Sequence, residues 1–418
     1  MFLYRNIYLK KLKIAEYLML FILTTFPFLN LYATPIKSVG ISDLLLLIML
    51  IYYIVVAFRE RMFITSIFKY RFLIICLIVV NYLIVMYFTD GYMYKSILLR
   101  TLRFIIYMSV GLFFQITPER RKIVRKIINI SCIWATLILV LENIIFKLFG
   151  VYILGFIPGI PLMPEEAIRE QVENIYMMGG RPFSIFSEPS AYGMYVGLGL
   201  ALEMFASDEK DKFFLRWFLT AGLILSGSTT GLASVIIIYL VAFIKRLLNH
   251  NMKFQKNDCL FVATLLPLVI YVLLSSSSVQ SMIARIADGN SSYDRIEGFK
   301  IFGNTNYSFV EILFGHGMND NIEEFFMSSY PRLYYYWGVF GIIMVGLLLL
   351  WLYKKVDRKS KVVIWFILFL NIATGWSWGQ FNLVSYALLV PMVPMVPMVP
   401  MVTGNENENE KMEGGFTE

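Results

Sequence analysis

The sequence predicts an all-α fold, a polytopic integral membrane helical bundle of about 12 transmembrane helices with two long extracytoplasmic loops. Three observations lead there. Of 418 residues, 58% are apolar and 16% are charged, against about 25% charged in a soluble domain. The apolar residues come in runs close to the ~20 that a helix needs to cross a bilayer. Basic residues gather in every second gap between those runs. Backbone groups cannot go unpaired in lipid, so the runs are expected to be helices. These features exclude a cytosolic enzyme, a disordered chain and a secreted disulfide scaffold.

The expected spans are 14–31, 39–58, 72–89, 97–116, 127–149, 190–206, 213–228, 231–248, 259–275, 333–353, 362–380 and 381–400. Lys10, Lys11 and Lys13 precede the first, as in a signal peptide, but no small-residue cleavage site follows, so it reads as an anchor. With the N-terminus in the cytoplasm, the inner gaps hold Arg59, Arg61, Lys69 and Arg71, then Arg120, Arg121, Lys122, Arg125 and Lys126. Further along they hold Lys210, Lys212 and Arg216, then Lys245, Arg246, Lys253 and Lys256, then Lys354, Lys355, Arg358, Lys359 and Lys361. That is the positive-inside pattern, with both termini cytoplasmic. It accounts for the net charge of +8 through the anionic inner leaflet, without nucleic acid. Residues 391–402 are four Pro-Met-Val units, and proline at every third position cannot continue an α-helix. The chain therefore reads as one membrane domain, 1–402, and a disordered cytoplasmic tail, 403–418.

Several chemistries lack their residues. The cysteines (Cys76, Cys132, Cys259) form no CxxC pair, and His250 and His316 are the only histidines. There is no Gly-Lys-Ser/Thr phosphate loop and no Asp-x-Asp pair. No metal and no cofactor are expected.

The long outer segments are 150–189 and 276–332, and loops of that length are usually functional or disordered. In the first, Pro164, the Glu165–Arg169 pair and apolar Ala167, Ile168, Val172 and Ile175 suit a short surface helix. It ends in Gly179-Gly180-Arg181-Pro182, then Ser184, then Glu188-Pro189-Ser190 at the mouth of a span. Glu188 is either a helix cap or a carboxylate at the lip of an outer cavity. In the second, Arg285 and Arg295 are either ordinary loop charges or a cationic clamp, since arginine grips phosphate through a bidentate fork. His316, between Gly315 and Gly317, is either solvated or open to a ligand. Arg100 and Arg103 share a helix face near its outer end, with Glu142 and Asp43 in the outer parts of other spans. Charges inside a membrane face a cavity or a partner by default. The two arginines either snorkel to outer headgroups or join a polar cavity open to the outside.

The order Arg181, Ser184, Glu188-Pro189-Ser190, then Ser226-Gly-Ser228-Thr229-Thr-Gly231, then Arg285, Arg295 and Leu313-Phe-Gly315-x-Gly317 resembles the bacterial O-antigen polymerase and ligase superfamily. It is most similar to the polymerase (Wzy-type) branch and covers roughly 180–345. The resemblance implies an all-helical glycosyltransferase acting on undecaprenyl-diphosphate-linked oligosaccharides at the outer membrane face, in O-antigen or capsule synthesis. It implies diphosphate-binding roles for Arg181 and Arg295, extended to Arg285 and Arg103, and a possible chain-length regulator as partner. Ligase members carry a histidine after the Gly-x-Gly, where this chain has Phe326-Met-Ser328-Ser329-Tyr330-Pro331-Arg332. That departure favours the polymerase. The implied reaction transfers a glycan from lipid diphosphate to a sugar hydroxyl, with Glu188 as first and His316 as second candidate base. The competing readings are an O-antigen ligase and a lipid-linked oligosaccharide flippase or transporter.

Overall fold

The computed structural model describes residues 2–36, 39–59, 66–88, 94–114, 118–151, 155–162, 182–206, 212–248, 298–303, 307–318, 328–355, 361–373 and 384. They form α1 (Phe2–Leu29), α2 (Ile41–Arg59), α3 (Ser66–Phe88), α4 (Tyr94–Phe113) and α5 (Pro118–Phe149), then α6 (Pro189–Phe205), α7 (Phe213–Leu225) and α8 (Thr229–Leu248). A 3-10 turn (Gly298–Gly303), a short α9 (Phe309–Phe314), α10 (Ser329–Lys355) and α11 (Lys361–Ala373) complete them. The described residues contain no strand beyond the isolated bridges Tyr32–Leu162 and Ala33–Gly40. Every apolar run expected to be helical, where it falls in the described residues, is a helix. The runs 259–275 and 381–400, the surface helix near 165–175 and the tail lie outside the described residues.

Helix bounds depart from the apolar runs where polar residues continue a helix. α5 starts at Pro118 and includes Arg120, Arg121, Lys122, Arg125 and Lys126, because these are good helix formers and proline suits a first turn. Among the described residues one helix, Arg120–Phe149, is long and apolar enough to cross a membrane by length and composition. The apolar stretches Ile14–Leu29, Ile41–Val56, Ile75–Phe88, Phe213–Leu225 and Thr229–Ile244 are shorter.

α6 is the central helix. Tyr192, Tyr195, Val196, Leu198 and Leu200 are fully buried, and its neighbours are α8, α7, α5 and α11. Small residues let α6 and α8 approach closely. A Cβ on Gly193 would lie 2.7 Å from the Gly231 amide nitrogen, and one on Gly197 would lie 2.9 Å from Ser234 Oγ. Interfaces of this kind gain from backbone proximity and van der Waals contact. The polar stretch Ser226–Gly231 is the turn between α7 and α8. Gly227 takes φ +59° there. Ser226 Oγ donates to Leu223 O at 2.8 Å, and Ser228 Oγ accepts from the Gly231 amide at 3.3 Å. The hydroxyls thus satisfy helix-end groups that burial would otherwise leave unpaired.

The outward faces are the apolar ones. On α2, Leu44, Leu47, Ile48, Ile51, Val55 and Phe58 are exposed, a stripe at helical spacing. On α5 the same holds for Ile130, Trp134, Leu137, Leu141, Ile144 and Leu148. Polar side chains such as Thr24, Ser42, Thr136 and Ser234 are turned inward.

Polar contacts gather at the two ends of the bundle, here termed outer and inner after the sequence assignment. At the inner end Arg120 pairs with Glu16, Arg125 donates to Ala206 O at 2.8 Å, and Lys212 stands 3.5 Å from Glu203. At the outer end the Ala33 amide donates to Pro161 O at 2.8 Å, and Ser42 Oγ donates to Asn30 Oδ1 at 3.0 Å.

Candidate functional site

A break in α10 organises the outer end. Gly338 has φ 61° and ψ −157°, a conformation that only glycine adopts freely. In an unbroken helix a carbonyl accepts from the amide four residues on. The carbonyls of Tyr335 and Tyr336, just before the break, accept instead from a different segment. The His316 amide donates to Tyr335 O at 2.7 Å, and the Gly317 amide donates to Tyr336 O at 3.1 Å. The match needs glycine on both sides. Gly315 and Gly317 each take φ +76°, and a Cβ on Gly315 would lie 2.5 Å from the Trp337 amide nitrogen. A Cβ on Gly338 would lie 2.5 Å from Ile312 O. The Leu313-Phe-Gly315-x-Gly317 pattern is therefore the shape that docks main chain against main chain at the kink. Asn81 on α3 adds a hydrogen bond to Phe314 O at 3.1 Å.

This docking aims His316 into an aromatic slot. Its ring stacks on Tyr335, with centroids 4.4 Å apart and planes 26° apart, and meets the Tyr307 ring edge-on at 4.6 Å. Nδ1 lies 3.3 Å from Glu311 Oε1. Nε2 is buried with no hydrogen-bond partner among the described residues. Burial pushes the imidazole pKa down from its ordinary value, and the Glu311 charge opposes this without overcoming it. His316 is therefore neutral at neutral pH, as a base must be.

Arginines stand beside the slot. Arg100 on α4 hydrogen-bonds Tyr336, the neighbour of Tyr335, and lies within the fields of Arg332 on α10 and Arg103 on α4. Three guanidinium groups thus share the outer end of α4 and α10. Arg103 lies 3.4 Å from Asp43, and its side chain keeps 38% of its exposure. Asp43 also accepts from the Tyr107 hydroxyl at 2.6 Å and from the Gly40 amide at 3.2 Å. That fixes its carboxylate and, through it, one edge of Arg103.

The first outer segment is fastened differently. Glu142 of α5, buried at 3% exposure, accepts from the Ser184 amide at 2.8 Å, with the amides of Gly155 and Phe183 also turned toward it. Ser184 takes φ 59° and donates its hydroxyl to Ala135 O at 2.7 Å. Of the two options that the sequence left for such a charge, a cavity or a partner, Glu142 has a partner, and the partner is main chain. Glu188 occupies the N-cap position of α6 with Pro189 in the first turn, yet its side chain makes no cap hydrogen bond. The capping role open to Glu188 is thus unfilled, and its half-buried carboxylate serves no helix end.

The sequence candidates divide accordingly. His316 and Arg103 sit at the outer end of α4 and α10, whereas Glu188 belongs to α6, whose main neighbours are α5, α7, α8 and α11. Arg181, Arg285 and Arg295 lie outside the described residues. The sequence reading missed Glu311, Tyr335, Tyr336, Gly338 and the clustering of Arg332. Glu311 carried a signal, because Ser308-x-x-Glu311 is a capping-box pattern, and both of its hydrogen bonds are present.

Comparison of the chain with protein-family models, with curated proteins and with solved structures finds no match. The fold and the site geometry define a helical protein with exposed apolar stripes on α2 and α5 and a group of arginines at one end of α4 and α10.

Proposed function

We propose that the chain is a glycosyltransferase of the bacterial cytoplasmic membrane that joins undecaprenyl-diphosphate-linked oligosaccharide repeat units at the outer face. The membrane placement is supported by the exposed aliphatic stripes. Soluble monomers rarely expose such large contiguous apolar patches, and here they recur on α2 and α5. The observation that carries the functional reading is the grouping of Arg103 and Arg332 with Arg100, which hydrogen-bonds Tyr336, the chain neighbour of the Tyr335 on which the His316 ring stacks. A lipid diphosphate needs fixed positive charge, and an acceptor sugar needs a proton acceptor beside it.

The chemistry follows from those two groups. The sugar hydroxyl of the incoming repeat attacks the anomeric carbon of the growing glycan. The new C–O bond forms as the bond to the diphosphate oxygen breaks, and direct displacement inverts the anomeric centre. The leaving diphosphate gathers negative charge, and guanidinium groups already in place stabilise it without reorganisation. The family resemblance implies diphosphate-binding roles for Arg181 and Arg295 as well, extended to Arg285. A chain-length regulator is the proposed protein partner.

Deletion in the host tests the reading. Cells lacking the chain are expected to display single repeat units in place of polymer on surface-glycan gels. Loss of all surface glycan points instead to a flippase, and polymer retained on the lipid carrier points to a ligase.

A further inference from the structure

Two candidate bases differ sharply in how they are held. Glu188 has an unassigned carboxylate on α6. His316 is constrained on every side. Its amide and the next are bonded to α10 main chain, its ring is stacked on Tyr335 and edged by Tyr307, and its Nδ1 faces Glu311. Glu311 is itself fixed. Its Oε2 accepts from the Ser308 amide at 2.7 Å, while its own amide donates to Ser308 Oγ at 3.3 Å. That capping box leaves Oε1 turned to the imidazole. The opposite nitrogen, Nε2, is buried without a partner among the described residues. A buried ring nitrogen left unpaired is costly, and such groups call for an explanation in catalysis, strain or an unseen partner.

We infer that Glu311 is a positioning residue that holds the His316 proton on Nδ1, so that Nε2 is the base for the acceptor sugar hydroxyl. The inference rests on the polymerase reading and deepens it by choosing His316 over Glu188. In the step, the hydroxyl proton passes to Nε2 while the oxygen forms its bond to the anomeric carbon. The bond from that carbon to the diphosphate oxygen breaks, and the electron pair leaves with the lipid diphosphate. The resulting imidazolium carries its new charge beside the Glu311 carboxylate and later releases the proton to water. Among the described residues the titratable groups that face the imidazole are Glu311 from α9, Tyr307 from the turn before it and Tyr335 from α10, and Glu311 supplies the charge that reaches it.

The test uses the full chain in liposomes with a lipid-linked repeat unit as probe, and initial polymerisation rates from about pH 5 to pH 8. Wild type is expected to hold its rate through neutral pH and lose it on the acid side as His316 protonates. Glu311→Gln keeps the capping box, because glutamine serves there as well. It is expected to lower the rate about 10- to 100-fold, as loss of a base's orienting partner does. It also moves the acid limb to lower pH, because the carboxylate no longer favours the imidazolium. His316→Asn is expected to lose at least about 100-fold. A Glu311→Gln enzyme with unchanged rate and unchanged acid limb overturns the inference, as does a fully active His316→Asn enzyme. If Arg332→Ala is inactive while His316→Asn is active, the base assignment falls and the polymerase reading survives. If wild type makes no polymer from the repeat unit, the polymerase reading falls first.

Discussion

The segment leading to Glu188 and the segment carrying His316 both lie at the outer end of the bundle, and different groups fasten them. A buried side chain holds the first, with Glu142 reaching from α5 to the amide of Ser184. Main chain holds the second, with the amides of His316 and Gly317 filling carbonyls next to the Gly338 break. The difference decides where chemistry is available. One carboxylate oxygen of Glu142 holds a loop. Around His316 the backbone holds the segment, and the imidazole Nε2 has no hydrogen-bond partner among the described residues.

The comparison breaks most readily at the kink. Gly338→Ala forces a side chain into a positive-φ position and against Ile312 O. Strain of about 1–2 kcal/mol and overpacking of about 1–3 kcal/mol add there. The expected result is a loss of about 3 kcal/mol in thermal unfolding in detergent, with polymerisation lost too. Gly346→Ala, where a Cβ meets nothing within 4 Å, is the control and should stay within about 0.5 kcal/mol. Equal effects at both positions would remove the docking account.

Glu142→Ala comes next. It leaves the Ser184 amide buried and unpaired and is expected to cost about 1–3 kcal/mol, with Glu142→Gln costing less because the amide oxygen still accepts. If Ala and Gln unfold alike at the wild-type temperature, Glu142 is no fastener. The smallest expected effect is that of Glu188→Gln. With no cap bond to lose, stability should stay within about 0.5 kcal/mol and polymer length in cells should be unchanged. Loss of polymer with stability intact would move the base to the first segment and reverse the comparison.

Much of the helical architecture was legible because long apolar runs announce helices directly, and the runs at 39–58 and 190–206 match α2 and α6 within a few residues. The site was legible only on one side. Gly315-x-Gly317 stands out as a motif, whereas its counterpart Gly338 sits in Tyr335-Tyr336-Trp337-Gly338 and looks like any glycine of an apolar span. Arg332 lies far along the chain from Arg100, and no local pattern signals that α4 and α10 bring their outer ends together. Glu142 could be read as needing a partner, but its partner is main chain, which has no side-chain signature. Asp43 and Arg103 were each legible as charges in apolar surroundings, and their pairing at 3.4 Å came only with the fold.

Binding of undecaprenyl diphosphate to the chain in nanodiscs tests the central claim most directly. Wild type and the single variants Arg100→Ala and Arg332→Ala should be compared at fixed salt. A charge-assisted hydrogen bond contributes about 1.5–3 kcal/mol, so each variant is expected to bind about 10- to 100-fold more weakly. Wild-type affinity in both variants would contradict the account.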